Sequence, residues 1–461
     1  MMKIISIISL ILFSQVGIGQ DSVLAFDEFL SKVVNHHPLS LSASYKVKIG
    51  DGKLLKARGS FDPKLSSNLT QKRYRNKDYF TTLDAGFKIP TWYGINIQGG
   101  YENTKGLYLN PESNTPNNGL WNLGGSINLG KGLLIDQRRA ILKEAKLISE
   151  NSILEQKLVI NQLMLEASVN YWNWFKAYNN QLIYKKALTV AEERFKNIKT
   201  SAEFGDKPFV DTLKSFITLQ ERKLSLEQSS LFLQNKQRSL EVYLWHEGTI
   251  PLQIDGLNPA IYEGITFPQP QKEMSAQIDN WTASHPEILL IKNNLEISRI
   301  DLKLKRENIK PTVQIRYNSL SPKIEDINFN NYDIDNYKWG AKVSVPLFLR
   351  KERGELRISN YKLKNLEAKT SLKIEKTKFE IEKSLNNWES FNNQIKLQIK
   401  NLNAYKELYL AEKKLFKLGE SSLFLLNFRD NERINAQIKY IKVLTDGLME
   451  KAVFDYQTFR Y

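Results

Sequence analysis

The 461-residue sequence contains no cysteine and only four histidines. Without thiols there are no disulfides and no acylated N-terminal cysteine. Stability must therefore come from a large core or an assembly, and any membrane attachment from the fold itself. The histidines are His36, His37, His246 and His285. The first two adjoin a helix start, with no clustered carboxylates nearby to complete a metal site. No G-x-S-x-G, phosphate-binding glycine loop or H-E-x-x-H occurs, and the carboxylates ride on helices mixed with lysine, as on solvated faces. No catalytic residue, metal or cofactor is expected, and an enzyme reading has nothing to stand on.

Long apolar runs are also missing. Beyond the first 20 residues no stretch of 18 consecutive apolar residues occurs, so no helical membrane span is expected. An outer-membrane β-barrel leaves this profile, because its strands alternate. So does a soluble periplasmic protein. The start itself, "MMK" followed by "IISIISLILF" and Gly17-Ile18-Gly19, reads as a secretory signal peptide over residues 1–19. Its apolar run is shorter than the roughly 20 residues of a spanning helix.

Lysine and arginine total 66 against 50 acidic residues, a net charge of +16. The positive charges are spread along segments such as "LKEAKLISE" and "KIEKTKFEIEK", where glutamate accompanies them. That distribution fits solvated helix faces, and no nucleic-acid partner is expected; attraction to acidic lipid headgroups or anionic cargo stays open.

All 14 prolines lie between residues 38 and 346. Proline costs about 3 kcal/mol inside a helix, so the proline-free gaps are where long helices can run. Residues 133–203 carry apolar side chains at mixed three- and four-residue steps (Leu154, Leu158, Leu165, Val169, Trp172), an amphipathic helix pattern. It stops near "EFGDKP", and a returning helix follows over 209–245. Residues 350–418 repeat the arrangement, stop at Gly419 and return over 422–459. A helix of 70 residues is about 105 Å long and survives only by packing along its length, as in coiled coils.

The repetition extends further. His37-Pro38 recurs as His285-Pro286 and Pro63 as Pro311, both 248 positions on. Gly205 recurs as Gly419 at an offset of 214, so the first half carries 34 extra residues between Pro63 and its long helix. The chain reads as two structural repeats, 20–245 and 272–461, joined by an irregular segment over 246–271. Each repeat runs helix, strands, long helix, turn, returning helix. Leading helices are expected over 26–59 and 272–309. The strands fall within 62–130 and 312–348, specifically 64–74, 79–89, 92–103, 120–129, 312–320 and 337–348. Tyr79, Trp92, Tyr93, Tyr101, Trp121, Tyr337 and Trp339 suit interfacial girdles. A soluble sandwich alternates in the same way. In a membrane, two to four strands per half are too few to close a barrel alone, which implies oligomerisation.

The paired His-Pro starts, the prolines at each helix-to-strand passage, the passages "INLGKGLLIDQRRA" and "VSVPLFLRKERGE", and the turns "FGDKPFVDTL" and "LGESSLFLLN" resemble the TolC-like outer-membrane efflux proteins. The resemblance covers essentially the whole chain beyond its leader. It implies a mainly α fold with a β-barrel portion: a duplicated coiled-coil shaft of long helices in the periplasm, and a 12-stranded transmembrane barrel shared by three chains, four strands each. It further implies a homotrimer in the outer-membrane lipid, serving a periplasmic adaptor (membrane fusion protein) and an inner-membrane pump. The adaptor would dock at the helix tips, Phe204, Gly205 and Asp206 with Leu418, Gly419 and Glu420. The extra 34 residues depart from the pattern and either enlarge the barrel or form an extracellular hairpin.

The family closes its periplasmic end with polar and acidic side chains at these turns. Asp211 sits where the first turn's aspartate is expected. The positions resembling the acidic pair of the second turn read Leu425 and Phe428, so an acidic ring is not expected there. Either these two form an apolar constriction that gates by dewetting, or they simply pack between helices. The contrasting reading of the whole chain is a periplasmic coiled-coil scaffold without a pore.

Overall fold

The computed structural model describes residues 22–247, 250–254, 256–271, 273–323 and 335–461. The expected signal peptide over 1–19 lies outside the described residues. In chain order the elements are β1 (Ser22–Val23), α1 (Phe26–His36), α2 (Pro38–Arg58), β2 (Lys64–Tyr74), β3 (Lys77–Pro90), β4 (Ile95–Lys105) and β5 (Leu120–Asn128). Then come α3 (Gln137–Glu203), α4 (Phe209–Glu241), β6 (Trp245–His246), β7 (Ile250–Pro251) and β8 (Leu257–Asn258). The second half supplies α5 (Ile278–Ser284), α6 (Pro286–Glu307), β9 (Thr312–Ser321), β10 (Tyr337–Ser344), α7 (Arg350–Lys417) and α8 (Leu423–Thr458). The described residues are mostly helical, with a curled six-stranded sheet and two short two-stranded ladders.

Each leading helix is broken in two, where one helix is expected over 26–59 and one over 272–309. The breaks fall at His37 and His285, whose backbones are extended with ψ of 135° and 127°. The physical cause is local: the ring of a following proline excludes the helical region for the residue before it. Each histidine then caps the next helix. His37 Nδ1 accepts from the Leu39 N–H at 3.1 Å, and His285 Nδ1 accepts from the Glu287 N–H at 3.2 Å. The duplicated dipeptide is thus a duplicated hinge with its own cap.

Two compact units emerge, and they cut across the sequence repeats. One comprises the stretches up to Leu41, Asn161–Ala276 and Ile381–Tyr461; the other comprises Ser42–Ile160 and Gln277–Glu380. Each unit draws on both halves, because helices that cannot bury a face alone bury it against their counterparts from the other repeat.

The core of the first unit is aromatic. Tyr171, Trp174 and Phe175 of α3 are buried with Phe29, Leu240, Leu244 and Phe454. Burying each large side chain is worth about 1.5–3 kcal/mol. Tyr171 anchors the N-terminal stretch, its hydroxyl donating to the Leu24 carbonyl at 2.8 Å. The most buried stripe of α3 runs Leu163, Ala167, Tyr171 and Trp174, whereas Leu165 and Val169 are only half buried. β1 pairs with β8 and β6 with β7, so the connecting segment is tied down by short ladders; Ile254, Leu257 and Tyr262 pack on the same core.

In the second unit, α2 and α3 approach closely at Gly50. A Cβ there would lie 2.3 Å from the Ser152 hydroxyl oxygen. Smaller clusters follow, Ala57, Phe61, Leu142 and Ala145 in one, Ile135, Ala140, Ile300 and Leu304 in the other. The rest of this unit is an antiparallel sheet in the order β10-β9-β5-β4-β3-β2. It holds six strands, not the four that the resemblance implies, and the 34 extra residues supply the difference. The expected strand over 92–103 begins later, at Ile95. Residues 91–94 form a tight turn with Gly94 at φ 85°, and Trp92 stacks on Phe61 at 4.4 Å. The strand expected over 337–348 ends at Ser344, shortly before Pro346, which lacks the N–H a ladder needs. The two halves meet where Leu129 and Lys131 donate to the carbonyls of Val313 and Pro311, each at 2.7 Å.

Candidate functional site

The sheet has two chemically distinct faces. Because side chains alternate and partners in register share a face, each ladder can be read across all six strands. One face carries Leu65 and Leu69 of β2, Leu83, Ala85, Phe87 and Ile89 of β3, and Ile95, Ile97 and Tyr101 of β4. It continues with Trp121, Leu123 and Ile127 of β5, Val313, Ile315 and Tyr317 of β9, and Tyr337, Trp339, Ala341 and Val343 of β10. The charges in these paired rows lie at strand ends, Lys105 at the end of β4 and Arg73, paired with Asp78, beyond the irregularity in β2. Apolar side chains stand open on this face: Leu65 is 85% exposed, Val343 68% and Trp339 64%. A contiguous apolar surface of this extent is a contact surface for something other than water.

The opposite face is mainly polar, with Phe80, Leu120 and Leu320 its apolar members. It presents Lys64, Asn68 and Lys72, then Asp84 and Lys88, then Asn96, Gln98 and Glu102, with Asn122, Ser126, Gln314, Arg316, Asn318, Lys338 and Lys342 beyond. Lateral hydrogen bonds tie it together. Gln98 donates to Asn318 at 2.9 Å, Arg138 to Asn96 at 3.1 Å, and Lys338 pairs with Glu102 at 3.9 Å. Asn96 and Ser126 are buried, whereas Lys64, Lys72, Asp84 and Lys88 are exposed. Strand lengths of 8–14 residues bracket the roughly 9–11 needed for a tilted strand to cross a bilayer. Aromatic pairs stud the apolar face, Tyr101 with Trp121 at 4.8 Å and Tyr317 with Tyr337 at 5.9 Å.

The second candidate site is formed by the turns between long and returning helices, both in the first compact unit. They are built alike. Asp206 donates to the Ser201 carbonyl and Gly205 to that of Ala202; Glu420 donates to Leu415 and Gly419 to Phe416, all at 2.9–3.2 Å. Gly205 and Gly419 sit at φ 82° and 79°, the left-handed conformation that ends a helix in a Schellman motif. The turns lie together, with Lys207 Nζ 5.2 Å from the centre of the Phe416 ring. Ser422 caps α8 by accepting from the Leu425 N–H at 3.2 Å. Phe204, Asp206, Leu418 and Glu420 are all exposed.

Asp211 lies in the first turn of α4, half buried and paired with Lys214 at 3.8 Å. Leu425 is half buried, whereas Phe428 is exposed with the Arg429 guanidinium over its ring at 5.5 Å. Phe424, Phe209 and Leu213 are exposed beside them in sequence. Sequence reasoning missed a buried ion cluster behind these turns. Asp430 accepts from Arg194 at 3.2 Å and from Arg433 at 2.8 Å; Arg194 also donates to Asn427 at 2.6 Å, and Arg222 donates to Asn431. Asp430 and Arg194 lie 236 positions apart on different helices, and no local pattern links them. No group of three metal-ligating side chains occurs among the described residues, and no described helix is long and apolar enough to cross a membrane.

No family model and no curated protein matches the sequence. Solved structures do match, along nearly the whole chain. The outer membrane channel CmeC of Campylobacter jejuni is 15% identical, with a TM-score of 0.65 over 94% of this chain and 86% of that one. The outer membrane protein VceC of Vibrio cholerae is 12% identical, with a TM-score of 0.64 over 94% and 95%. The outer membrane channel MtrE of Neisseria gonorrhoeae, in its open state, is 11% identical, with a TM-score of 0.64 over 94% and 88%.

Proposed function

Starting from its TolC-like outer-membrane channel fold, we propose that this chain forms the wall of an outer-membrane exit duct, working as a homotrimer. The observation that carries this reading is the two-faced sheet. Its apolar face suits lipid, and its polar, laterally hydrogen-bonded face suits a water-filled lumen. The helices form the shaft in the periplasm. The duct is passive: an inner-membrane pump supplies the energy and a periplasmic adaptor connects the two. This is the architecture of tripartite efflux and of type I secretion. The solved channels with this fold support the reading.

The adaptor docks on the paired turns, at Phe204, Gly205, Asp206, Leu418, Gly419 and Glu420. Their exposure and their two similar backbone motifs support a surface that one partner can grip twice. The duct is gated near these turns. Phe428 stands exposed in the single chain, with Leu425 partly so; both suit an apolar constriction, while Asp211 is engaged by Lys214. The scaffold reading is weakened by the open apolar face of the sheet, which a periplasmic protein would have to hide.

Protein purified in detergent and added to a planar bilayer should conduct in discrete steps. The double variant Leu425→Asp/Phe428→Asp should raise the resting conductance several-fold. Steps in the wild type with no change in the variant would reject the apolar gate. No steps from either protein would reject the channel.

A further inference from the structure

From the six-stranded sheet, we infer that the barrel closes through 18 strands, β10 of one copy pairing with β2 of the next. The inference rests on the homotrimer proposed above and adds to it the partner of each sheet edge and the size of the pore.

The extra strands belong to the wall. An extracellular hairpin would project from the sheet and be polar on both sides. Instead β3 pairs with β4 along ten residues, from Thr81↔Lys105 to Pro90↔Asn96. The apolar face crosses all six strands: one row runs Leu65, Phe87, Gly99, Leu123, Ser319 and Tyr337, and the next runs Ile89, Ile97, Gly125, Tyr317 and Trp339. The polar face likewise reaches from Lys64 and Lys88 to Arg316 and Lys342.

The edges require partners. β2 and β10 are exposed along their full lengths and leave their outer N–H and C=O groups unpaired. Each unpaired group costs several kcal/mol in hydrocarbon, so open edges do not persist in a bilayer. A second copy of the same chain fits. Six strands in strict antiparallel order make β2 and β10 run in opposite directions, so head-to-tail copies continue the antiparallel sheet without a break.

Chemistry then selects a register. With the helix-proximal ends level, Lys64 lies beside Ser344. Leu65 then meets Val343 and Leu69 meets Trp339 on the apolar face. On the polar face Lys342 comes opposite Ser66 and Lys338 opposite Thr70, so no lysine faces a lysine. At 4.8 Å between strands and a tilt near 40°, 18 strands span about 36 Å across the backbone, against about 24 Å for 12. The enclosed area grows about 2.3-fold, which suits bulkier cargo than a four-strand-per-chain barrel admits.

The absence of native cysteine makes the test clean. In the full-length protein in outer membranes, Ser66→Cys/Lys342→Cys should oxidise into covalent dimers and trimers, with no link inside one chain. Gln98→Cys/Lys342→Cys, which joins β4 to β10, should give none. The opposite pattern would mean that β2 and β3 leave the wall, and would overturn the inference while the trimer stands. The native mass of the detergent-extracted wild type separates the two ideas. A mass of two chains with the β2–β10 link would reject the trimer, and the strand count with it. If the variants fail to fold, imaging of the wild type decides: six wall strands per chain support the inference and four overturn it.

Discussion

The imidazole of His285 accepts a hydrogen bond from the Glu287 N–H at 3.2 Å, repeating 248 positions later the cap that His37 gives to Leu39. Both rings are buried, and an acceptor Nδ1 cannot carry a proton. Burial pushes the His285 pKa down to about 4, with Glu287 pulling it back up and Lys373 adding to the depression. Between pH 6.5 and 4 the unfolded chain binds a proton that the native chain refuses, so stability rises with pH across that window. The contribution is complete above about pH 6.5 and lost as pH falls through about 4, at most on the order of 3 kcal/mol. Thermal unfolding in detergent from pH 7.5 to 4 should show this slope. His285→Asn, which can still cap, should flatten it, and an unchanged slope would remove His285 as its source.

The ion cluster behind the turns gives a second prediction. Asp430 is buried between Arg194 and Arg433. Removing the carboxylate leaves two cations uncompensated, at a cost of about 3–5 kcal/mol. Asp430→Ala should therefore destabilise strongly and expose the turn-proximal ends of α3 and α8 to protease. Arg194→Ala/Asp430→Ala should cost less than the sum of the single changes, because the pair is lost together. Additive costs would show that the contact is not energetically coupled.

The turn glycines are a purely backbone matter. No atom lies within 4 Å of a Cβ built at Gly205 or Gly419, so substitution meets no clash, only the strain of positive φ. Alanine at either should cost about 1–2 kcal/mol, and asparagine less. Chemical denaturation of the four single variants checks this ordering; alanine and asparagine costing the same would contradict it.

The polar face of the sheet predicts ion selectivity. Lys64, Lys72, Lys88, Arg316, Lys338 and Lys342 stand there against Asp84 and Glu102. In the proposed ring of copies these residues would line the barrel with excess positive charge, which attracts anions. Reversal potentials in a KCl gradient should indicate anion preference at low salt, reduced by Lys88→Gln/Arg316→Gln. Cation preference insensitive to that variant would place the selectivity elsewhere.

Much of the fold was legible because its signals are local. Proline-free gaps marked α3, α4, α7 and α8, and Gly205 and Gly419 marked the ends of α3 and α7. The His-Pro pairs announced the duplication, but the break they impose was overlooked, although the restriction on a residue before proline is itself a sequence signal. The number of strands in one sheet was not legible. Alternation marks 79–89 as strand-like, yet only the pairing of β3 with β2 and β4 puts it in the same sheet. The Asp430 cluster was hidden because its members lie far apart in sequence.

The most direct test of the central claim is where the protein resides and at what mass. Cells should be fractionated by osmotic shock and the remainder extracted with mild detergent, followed by native mass determination. The account predicts that the protein resists osmotic shock, leaves the outer membrane only in detergent, and has the mass of three chains. A single chain released by osmotic shock would mean that the sheet crosses no membrane, and would contradict the account.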